Sequence, residues 1–440
     1  MKVPFHIITT ANLGAAYPFI SDEGLPVLGA YIGQNLLGGH FAYDPFELYN
    51  RSLITNPNMI VLGQIGRGKS SFIKSYIWRQ SVFGKRAWVI DPKGEYGDLA
   101  AAFSVKPIAL RPGGHIRLNP LDFYRVTPSS TRRKSLQSPG VVSGHCSDGC
   151  HSVSVGLISS LASTCLGRPL NPREKSAIEA AVHTAEQGSA QVPTLNSVVT
   201  NLFEPSADSA EELRSSRRSL AEDGRDVALE LRRLVDGELK GMFDGPTTEG
   251  LDLDMPLVVL DLSAVYGSPM LGMIMICAMA WLRSWLDYDR SVKTIFVVDE
   301  AWAVLMHVET ARWLQSLWKL ARSYGVSNIA VVHRASDLTR LGGERSEQSG
   351  LGTGLLADSE TRVIYGQSPL EVQSAQALLG LNSKEAELLS RLGRGIALWK
   401  IGDRSFLVKH VLAEGERHFV DTDAAMRGTA SLVENQYGRG

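Results

Sequence analysis

Short apolar runs alternate along the chain with longer segments in which apolar residues recur at helical spacing. Runs with so few polar residues are typical of strands buried on both faces of a parallel sheet. They lie at residues 59–62, 86–90, 105–110, 256–263, 294–298, 328–334 and 361–366. The helical patterns between them, at residues 70–82, 270–286 and 311–323, complete a strand–helix alternation. This alternation predicts an α/β fold with a mostly parallel central sheet.

Two consecutive segments interrupt the alternation. Residues 127–152 are rich in Ser, Pro, Gly and basic residues and predict a long surface loop. Residues 153–239 are helical in pattern, with a start signal in which Asn171 caps, Pro172 begins the helix and Glu174 reaches back. They predict an inserted all-α subdomain.

The predicted organisation therefore has four parts. Residues 1–125 hold N-terminal strands and the first part of the core, and residues 126–244 hold the loop and the helical insertion. Residues 245–425 hold the second part of the core and end in a β-hairpin formed by residues 395–401 and 405–411. Residues 426–440 are predicted to be a flexible tail.

Composition adds limits to this picture. The 440 residues are 44% hydrophobic and 21% charged, which is typical of a globular protein. The longest apolar run, residues 271–282, is too short for the ~20 residues of a membrane-spanning helix. A net charge of −1 argues against a uniformly basic nucleic-acid-binding surface, although it does not exclude a local ring of positive charge. Four cysteines and the absence of a secretory leader in residues 1–10 predict a reducing, cytoplasmic compartment.

One cysteine cluster has the residue types of a zinc site. His145, Cys146, Cys150 and His151 lie within seven residues of the predicted loop. A zinc site usually draws on two well-separated ligand pairs, and a second pair is missing here. We therefore favour incidental cysteines in a loop and predict no metal at this position.

A glycine-rich segment follows the apolar run at residues 59–62 and precedes a helical pattern. This is the strand–loop–helix context of a phosphate-binding loop, whose glycines let backbone N–H groups approach phosphate oxygens. In that motif the lysine contacts the β- and γ-phosphates and the following hydroxyl binds Mg²⁺. The predicted nucleotide-binding residues are Gly63, Gln64, Ile65, Gly66, Arg67, Gly68, Lys69, Ser70 and Ser71. A ligand-free glycine-rich turn is the weaker interpretation.

An acidic segment follows the apolar run at residues 294–298. Asp299 is predicted to bind Mg²⁺ together with Ser70, and Glu300 is predicted to be the general base that polarises water for attack on the γ-phosphate. An Asp-Glu pair after a strand is common by chance. Its significance here comes from the phosphate-binding loop upstream.

Polar residues also follow two other strands. Asp91, Lys93 and Glu95 lie just after the run at residues 86–90, where open α/β sheets bind their ligands, and a solvated turn is the equally weighted alternative. His333 and Arg334 end the run at residues 328–334. Either is a candidate sensor of the γ-phosphate, and a simple hydrogen-bonded histidine is the alternative.

Together these motifs resemble the ATPase half of the TraC/VirB-type traffic ATPases of conjugative type IV secretion, within the HerA/FtsK superfamily of ring motors. The amino-acid sequence as a whole is also similar to the sequences of actinobacterial members. The motifs that carry the resemblance are the phosphate-binding loop at residues 63–70, Val89 to Tyr96, Leu118 to Asp122, Val297 to Trp302 and Lys319 to Gly325. The Asp-Pro-Lys-Gly-Glu and Asp-Glu-Ala-Trp elements are more specific than the phosphate-binding loop alone.

The resemblance implies a RecA-like P-loop ATPase that uses ATP and Mg²⁺ and assembles as a hexamer. It also implies coupling to membrane-associated secretion components, with a cytoplasmic position or a peripheral one at the inner face of the cell membrane. Arg322 and Arg362 are the candidates for an arginine supplied in trans to a neighbour's γ-phosphate.

Two departures from the family pattern matter. Relatives usually have Gln at the position of His333, and the large N-terminal half that docks to the membrane complex is not expected in this chain. The sequence is also compatible with two alternative functions. One is a DNA translocase or packaging motor of the same superfamily, and the other is a scaffold that binds ATP without turnover.

Overall fold

The structure, a computed structural model, describes residues 25, 29–122, 148–187, 192–288, 292–306, 308–338 and 347–421. The strands are β1 (Ala30–Asn35), β2 (His40–Tyr43), β3 (Met59–Leu62), β4 (Arg86–Asp91), β5 (Ile108–Ala109), β6 (Leu257–Asp261), β7 (Thr294–Val298), β8 (Val326–Val332), β9 (Thr361–Tyr365), β10 (Ile396–Ile401) and β11 (Arg404–His410). The helices are α1 (Pro45–Asn50), α2 (Lys69–Ser81), α3 (Gly97–Ala102), α4 (Asp148–Leu166), α5 (Pro172–Gln187), α6 (Leu195–Phe203), α7 (Ala207–Glu212), α8 (Arg217–Val235), α9 (Leu271–Tyr288), α10 (Trp302–Leu305), α11 (Val308–Tyr324), α12 (Glu347–Ala357), α13 (Pro369–Leu379), α14 (Ser383–Leu389) and α15 (Arg417–Val420).

The chain divides into two compact units. Unit 1 comprises Met1–Phe83, His333–Ala335 and Ser359–Gly440, and unit 2 comprises Gly84–Val332 and Ser336–Asp358. The four-part division proposed from the sequence follows the order of the chain instead, and it stays a prediction.

The described residues of unit 1 contain six strands in the order β2-β1-β11-β10-β9-β3. β3 and β9 are parallel, whereas the other neighbours are antiparallel. Ile401 pairs with Arg404 across the predicted hairpin, so its loop consists of Gly402 and Asp403. Gly402 has a φ of 56°, which suits the first position of a tight hairpin turn and explains why glycine stands there.

Aromatic packing joins the helix after the glycine-rich loop to the strands of unit 1. Trp399 of β10 is fully buried, and its ring lies 5.0 Å from that of Phe41, 5.2 Å from that of Tyr43 and 5.3 Å from that of Phe72. Phe72 belongs to the first turn of α2. Tilted and edge-on ring contacts of this kind add to the burial of apolar area, so the start of α2 is held firmly.

In the part of unit 2 that the structure describes, five parallel strands lie in the order β8-β7-β4-β6-β5. Their register aligns Ile90 with Val298 and Asp91 with Asp261. Since all five run in one direction, their carboxyl ends meet at one edge of the sheet, where open α/β folds place their sites.

The helices α4 to α8 form the predicted insertion within unit 2. The start signal of α5 is confirmed, because the backbone N–H of Glu174 donates to Asn171 Oδ1 at 3.0 Å and that of Asn171 donates to Glu174 Oε2 at 2.8 Å. No helix among the described residues is long and apolar enough to cross a membrane.

Several boundaries differ from the prediction. The strand predicted at residues 328–334 is Val326–Val332, so His333 and Arg334 follow the strand and do not belong to it. Residues 148–152, assigned to the loop, form the first turns of α4, because a polar start to a helix carries no apolar periodicity to reveal it. Residues 105–110 were expected to be a strand, but β5 has only two residues, and Pro107 beside it has no N–H for a ladder. The rest of the loop, with His145 and Cys146, lies outside the described residues, as does the tail.

Candidate functional site

The glycine-rich segment between β3 and α2 has the backbone conformation of a phosphate-binding loop. Gly63, Gly66 and Gly68 have φ values of 154°, 78° and 104°. Residues that carry a Cβ rarely adopt such values. At Gly63 space is also lacking, because a Cβ there would lie 2.4 Å from the Cβ of Tyr365. These glycines are therefore required by the shape of the loop.

Helix α2 begins at Lys69, and its N-cap residue, Gly68, makes no side-chain capping hydrogen bond. The first N–H groups of a helix have no intrahelical partner and carry the positive end of its dipole. An uncapped helix start after a glycine-rich loop is therefore suited to an anion such as a phosphate group.

Lys69 is the charged residue of this loop, and it is only 5% exposed. Its ammonium donates to the carbonyl oxygen of Gly63 and, at 3.0 Å, to that of Gln64. It also lies 3.1 Å from Nδ1 of His333. Because an ammonium group only donates, Nδ1 must accept, which places the imidazole proton on Nε2. The predicted sensor residue thus contacts the predicted phosphate-binding lysine.

Three other residues of the predicted binding segment donate hydrogen bonds to backbone carbonyl oxygens. The backbone N–H of Gln64 donates to the carbonyl oxygen of Gly366 at 3.2 Å, and the Arg67 guanidinium donates to that of Leu392 at 3.2 Å. The hydroxyl of Ser71 donates to the carbonyl oxygen of Val420 at 3.2 Å. The remaining two predicted binding residues are Ile65, which is 79% exposed at the tip of the loop, and Ser70, which is half-buried in the first turn of α2.

Asp299 and Glu300 lie directly after β7, at the carboxyl edge of the sheet of unit 2. Both are buried, with exposures of 6% and 2%. Glu300 has a φ of 52°, in the left-handed region, and its backbone N–H donates to Asp299 Oδ1 at 2.9 Å. A left-handed glutamate costs about 1 kcal/mol, and such residues occur often at functional sites.

Burial and, after it, the negative charges of Glu300, Asp91 and Glu95 together raise the pKa of Asp299 to about 7. Burial likewise raises the pKa of Asp91 to about 6, against the lowering effect of its backbone hydrogen bonds. We call these four carboxylates, Asp91, Glu95, Asp299 and Glu300, the acidic edge.

The turn after β4 is organised by Asp91. Its Oδ1 accepts from the backbone N–H groups of Lys93, Gly94 and Glu95 at 2.9 to 3.2 Å, and its Oδ2 accepts from that of Tyr96 at 2.9 Å. The fully buried Tyr96 hydroxyl then donates to Asp299 Oδ2 at 3.3 Å. The turn is therefore packed against Asp299, which argues against the alternative of a simple solvated turn.

Glu300 has a donor at each carboxylate oxygen. Lys93 forms an ion pair with Oε1, and the indole N–H of Trp302 donates to Oε2. Burial lowers the pKa of Lys93, but the hydrogen bond and charge of Glu300 outweigh that effect and raise it. Tyr96 and Trp302 were not predicted to be site residues. Their positions after the two strand ends were the available signal.

The two candidate arginines have different surroundings. Arg322 is exposed near the end of α11. Arg362 is half-buried on β9 and donates to the carbonyl oxygen of Leu379 at 3.2 Å, and burial lowers its pKa. An arginine that acts on a neighbouring subunit must extend outwards, which fits Arg322 better than Arg362.

The predicted magnesium ligands have suitable chemistry. Mg²⁺ prefers oxygen ligands and usually takes one or two protein side chains together with substrate phosphates. Asp299 provides a carboxylate with other carboxylates nearby, and Ser70 provides a hydroxyl. In the described part of the chain, no group of three or more His, Cys, Asp or Glu residues is arranged to hold a metal.

Comparison with known proteins places this geometry in context. Residues 51–363 match the family model described as an AAA-like domain. The structure of VirB4 of Thermoanaerobacter pseudethanolicus is similar, with a TM-score of 0.68 and 22% identity, over 90% of this chain and 99% of that chain. No protein of curated function matches the sequence at a significant level.

The bacterial conjugative coupling protein TrwBdeltaN70 is similar with a TM-score of 0.56 and 14% identity, over 94% of this chain and 97% of that one. TrwB in complex with ADP and Mg²⁺ is similar with a TM-score of 0.54 and 15% identity, over 81% and 86% of the two chains. The predicted RecA-like α/β fold and the predicted resemblance to the traffic ATPases are thereby confirmed. The chain belongs to the AAA-like domain family of P-loop ATPases.

Proposed function

We propose that this protein is an ATP-hydrolysing motor of a conjugative type IV secretion apparatus. The observation that carries the proposal is the uncapped start of α2, with Lys69 held by loop carbonyl oxygens that a phosphate group would replace. The similarity to VirB4 and to a conjugative coupling protein supports the choice of apparatus.

The roles of the residues follow from their chemistry. Lys69 neutralises charge on the β- and γ-phosphates, and the N–H groups at the start of α2 bind their oxygens. We assign Ser70 and Asp299 as ligands of Mg²⁺, which when bound neutralises charge that develops on the phosphate oxygens. Glu300 accepts a proton from the attacking water, and Nε2–H of His333 donates to a γ-phosphate oxygen.

The assembly is also part of the proposal. We infer a hexameric ring in which Arg322, the more exposed of the two candidates, acts on the nucleotide of the neighbouring subunit. The ring is proposed to work in the cytoplasm or peripherally at the inner face of the membrane, with secretion components as partners. Arg322→Ala is expected to lower kcat by about 10³-fold or more while ATP binding remains.

The test is an ATPase assay on the purified full chain. Lys69→Ala is expected to lose both binding of a fluorescent ATP analogue and turnover, because the charge on the phosphates is no longer neutralised. Glu300→Gln is expected to retain binding and lose about 10²–10⁴-fold in kcat, the usual contribution of a general base. A wild-type protein without turnover would support the nucleotide-dependent scaffold instead.

The same assay separates secretion from DNA translocation. It is repeated with single- and double-stranded DNA at two salt concentrations. Strong stimulation that falls steeply with salt would indicate a DNA translocase, because phosphate contacts release counterions. Activity that DNA leaves unchanged is expected for a motor acting on secretion components. Negative-stain images with a non-hydrolysable ATP analogue test the ring.

A further inference from the structure

The turn after β4 contacts both carboxylates of the Asp-Glu pair. Asp91 fixes the turn through four backbone N–H groups, and the turn then presents Lys93 to Glu300 and Tyr96 to Asp299. All of these residues belong to unit 2. A turn held this firmly restricts the positions that its side chains can take. A lysine on an exposed surface would be more mobile.

Lys93 supplies positive charge at a place where negative charge accumulates. Its side chain is 26% exposed, so the ammonium is partly withdrawn from water, and it pairs with a glutamate that is 2% exposed. The ring of Tyr266 lies 5.9 Å from Nζ of Lys93, close enough for a cation–π contact. The ion pair with Glu300 and the contact with the Tyr266 ring therefore hold the Lys93 side chain in a defined position.

Two donors define the direction of the Glu300 carboxylate. Lys93 holds Oε1 and Trp302 holds Oε2, while each oxygen keeps a second lone pair that can accept from water. The terminal torsion of a glutamate has a broad energy minimum, so the loss of the contact with Lys93 is expected to let the carboxylate depart from this orientation. Displacement of a catalytic group by about 1 Å can cost 10²-fold in rate.

We propose that Lys93 is a positioning residue for Glu300: it fixes the carboxylate in the orientation in which Glu300 accepts the proton of the attacking water. The inference rests on the proposed ATPase function. Its alternatives are that Lys93 binds a phosphate group of the nucleotide, or that the ion pair serves stability alone.

The experiment compares kcat, KM for ATP and the Kd of a fluorescent ATP analogue in the full-length protein. Lys93→Met, which keeps the length of the side chain, is expected to lower kcat about 10- to 100-fold, with KM and Kd within about threefold of wild type. Lys93→Arg is expected to recover most of the lost kcat, because a single charge-assisted contact remains available. The matched control is Lys106→Met, an exposed lysine of the same unit, with no expected change.

A double variant tests whether Lys93 acts through Glu300. Once Glu300→Gln has removed the carboxylate, adding Lys93→Met is expected to change kcat by less than about twofold, whereas independent effects would multiply. Trp302→Phe removes the second donor and is expected to lower kcat by about 3- to 10-fold, the usual worth of one hydrogen bond. This variant keeps the inference testable if Lys93→Met does not fold.

The outcomes are distinct. Unchanged kcat in Lys93→Met, or a multiplicative loss in the double variant, would overturn the inference. A rise in KM and Kd would overturn it too, in favour of a phosphate contact. Loss of thermal stability without the split between kcat and KM would reduce the ion pair to a structural role. If wild type itself hydrolyses no ATP, the proposed function fails and the inference with it, whereas the other failures leave that function intact.

Discussion

The phosphate-binding loop of unit 1 and the acidic edge of unit 2 are built in different ways. The loop is made by consecutive residues, and its shape depends on backbone conformation at Gly63, Gly66 and Gly68. The acidic edge is made by side chains at or just after the carboxyl ends of β4 and β7, which are far apart in the sequence. A site of the first kind depends on space and φ angles, and one of the second kind depends on charge and hydrogen bonds.

The partners of the key charged residues show the same difference. Lys69 donates to two neutral carbonyl oxygens of its own loop, which an anionic ligand can outcompete. Glu300 is held by the full charge of Lys93 and by the N–H of Trp302. We therefore expect the loop to be sensitive to changes in size and the acidic edge to changes in charge and hydrogen bonding.

The largest effect on stability is expected from Gly63→Ala. The added Cβ would lie 2.4 Å from that of Tyr365 on the neighbouring strand, so the backbone has to shift. Overpacking together with an unfavourable φ is expected to lower the free energy of unfolding by about 3 kcal/mol or more. Thermal unfolding monitored by circular dichroism measures it.

The matched control for this prediction is Gly66→Ala. Gly66 also has a positive φ, of 78°, but no atom lies within 4 Å of its added Cβ. Its expected loss is about 1 kcal/mol, from backbone conformation alone. Equal losses in the two variants would show that contact with Tyr365 is not what limits residue 63.

A smaller effect is expected from removal of the carboxylate that organises the turn at the acidic edge. Asp91→Ala leaves four backbone N–H groups without their acceptor, at an expected cost of about 2 kcal/mol, because the loss is offset in part by removal of a poorly solvated charge. It also releases Lys93 from its place, so kcat is expected to fall together with stability. Thermal unfolding and an ATPase assay on the same samples measure both.

Asp91→Asn separates shape from charge in this turn. The amide keeps one oxygen for the three N–H groups that Oδ1 accepts, but its NH2 group cannot accept from the N–H of Tyr96. A loss of about 1 kcal/mol, half that of Asp91→Ala, is therefore expected. If Asn were as damaging as Ala, the negative charge rather than the acceptor geometry would be what holds the turn.

The loop was easier to predict from the sequence than the acidic edge, for a physical reason. Glycine spacing, the strand before it and the helix after it are local, so the sequence predicted β3 and the start of α2 to within one residue. The hydrogen bond from Tyr96 to Asp299 joins residues 203 positions apart, and the pairing of Lys93 with Glu300 depends on the same strand order. Neither periodicity nor motif spacing contains that information, although the charged residues themselves were identified.

Unit 1 also contains a partly buried titratable residue, His410, which makes its stability depend on pH. Burial, and then the charge of Arg79, lower the pKa of His410 from 6.5 to about 4. The folded protein therefore binds fewer protons at His410 than the unfolded chain between pH 6.5 and 4, and stability is lost as the pH falls through this range. Between pH 7 and 5 the expected loss from this residue is about 2 kcal/mol.

His410→Gln removes this titration and keeps a donor for Ser75, whose hydroxyl lies 3.2 Å from Nε2 of His410. The difference in unfolding free energy between pH 7 and pH 5 is expected to shrink in this variant relative to wild type. The exposed His40→Gln, in the same unit, is the control and is expected to leave the difference as it is. A wild-type pH profile that persists in His410→Gln would contradict the assignment.

The smallest effect is expected at His333, the residue beside Lys69. His333 offers an acceptor to Lys69 through Nδ1, at 3.1 Å, and a donor through Nε2–H. An amide offers both functions at once, so His333→Gln is expected to change kcat by less than about threefold, which is below 1 kcal/mol. His333→Leu offers neither and is expected to lose about tenfold, the usual worth of one hydrogen bond to a charged group. Steady-state kinetics at saturating ATP distinguish the two variants. If Leu were tolerated as well as Gln, Lys69 would be placed by its two carbonyl oxygens alone, and the loop would depend on its backbone even more completely than its contacts suggest.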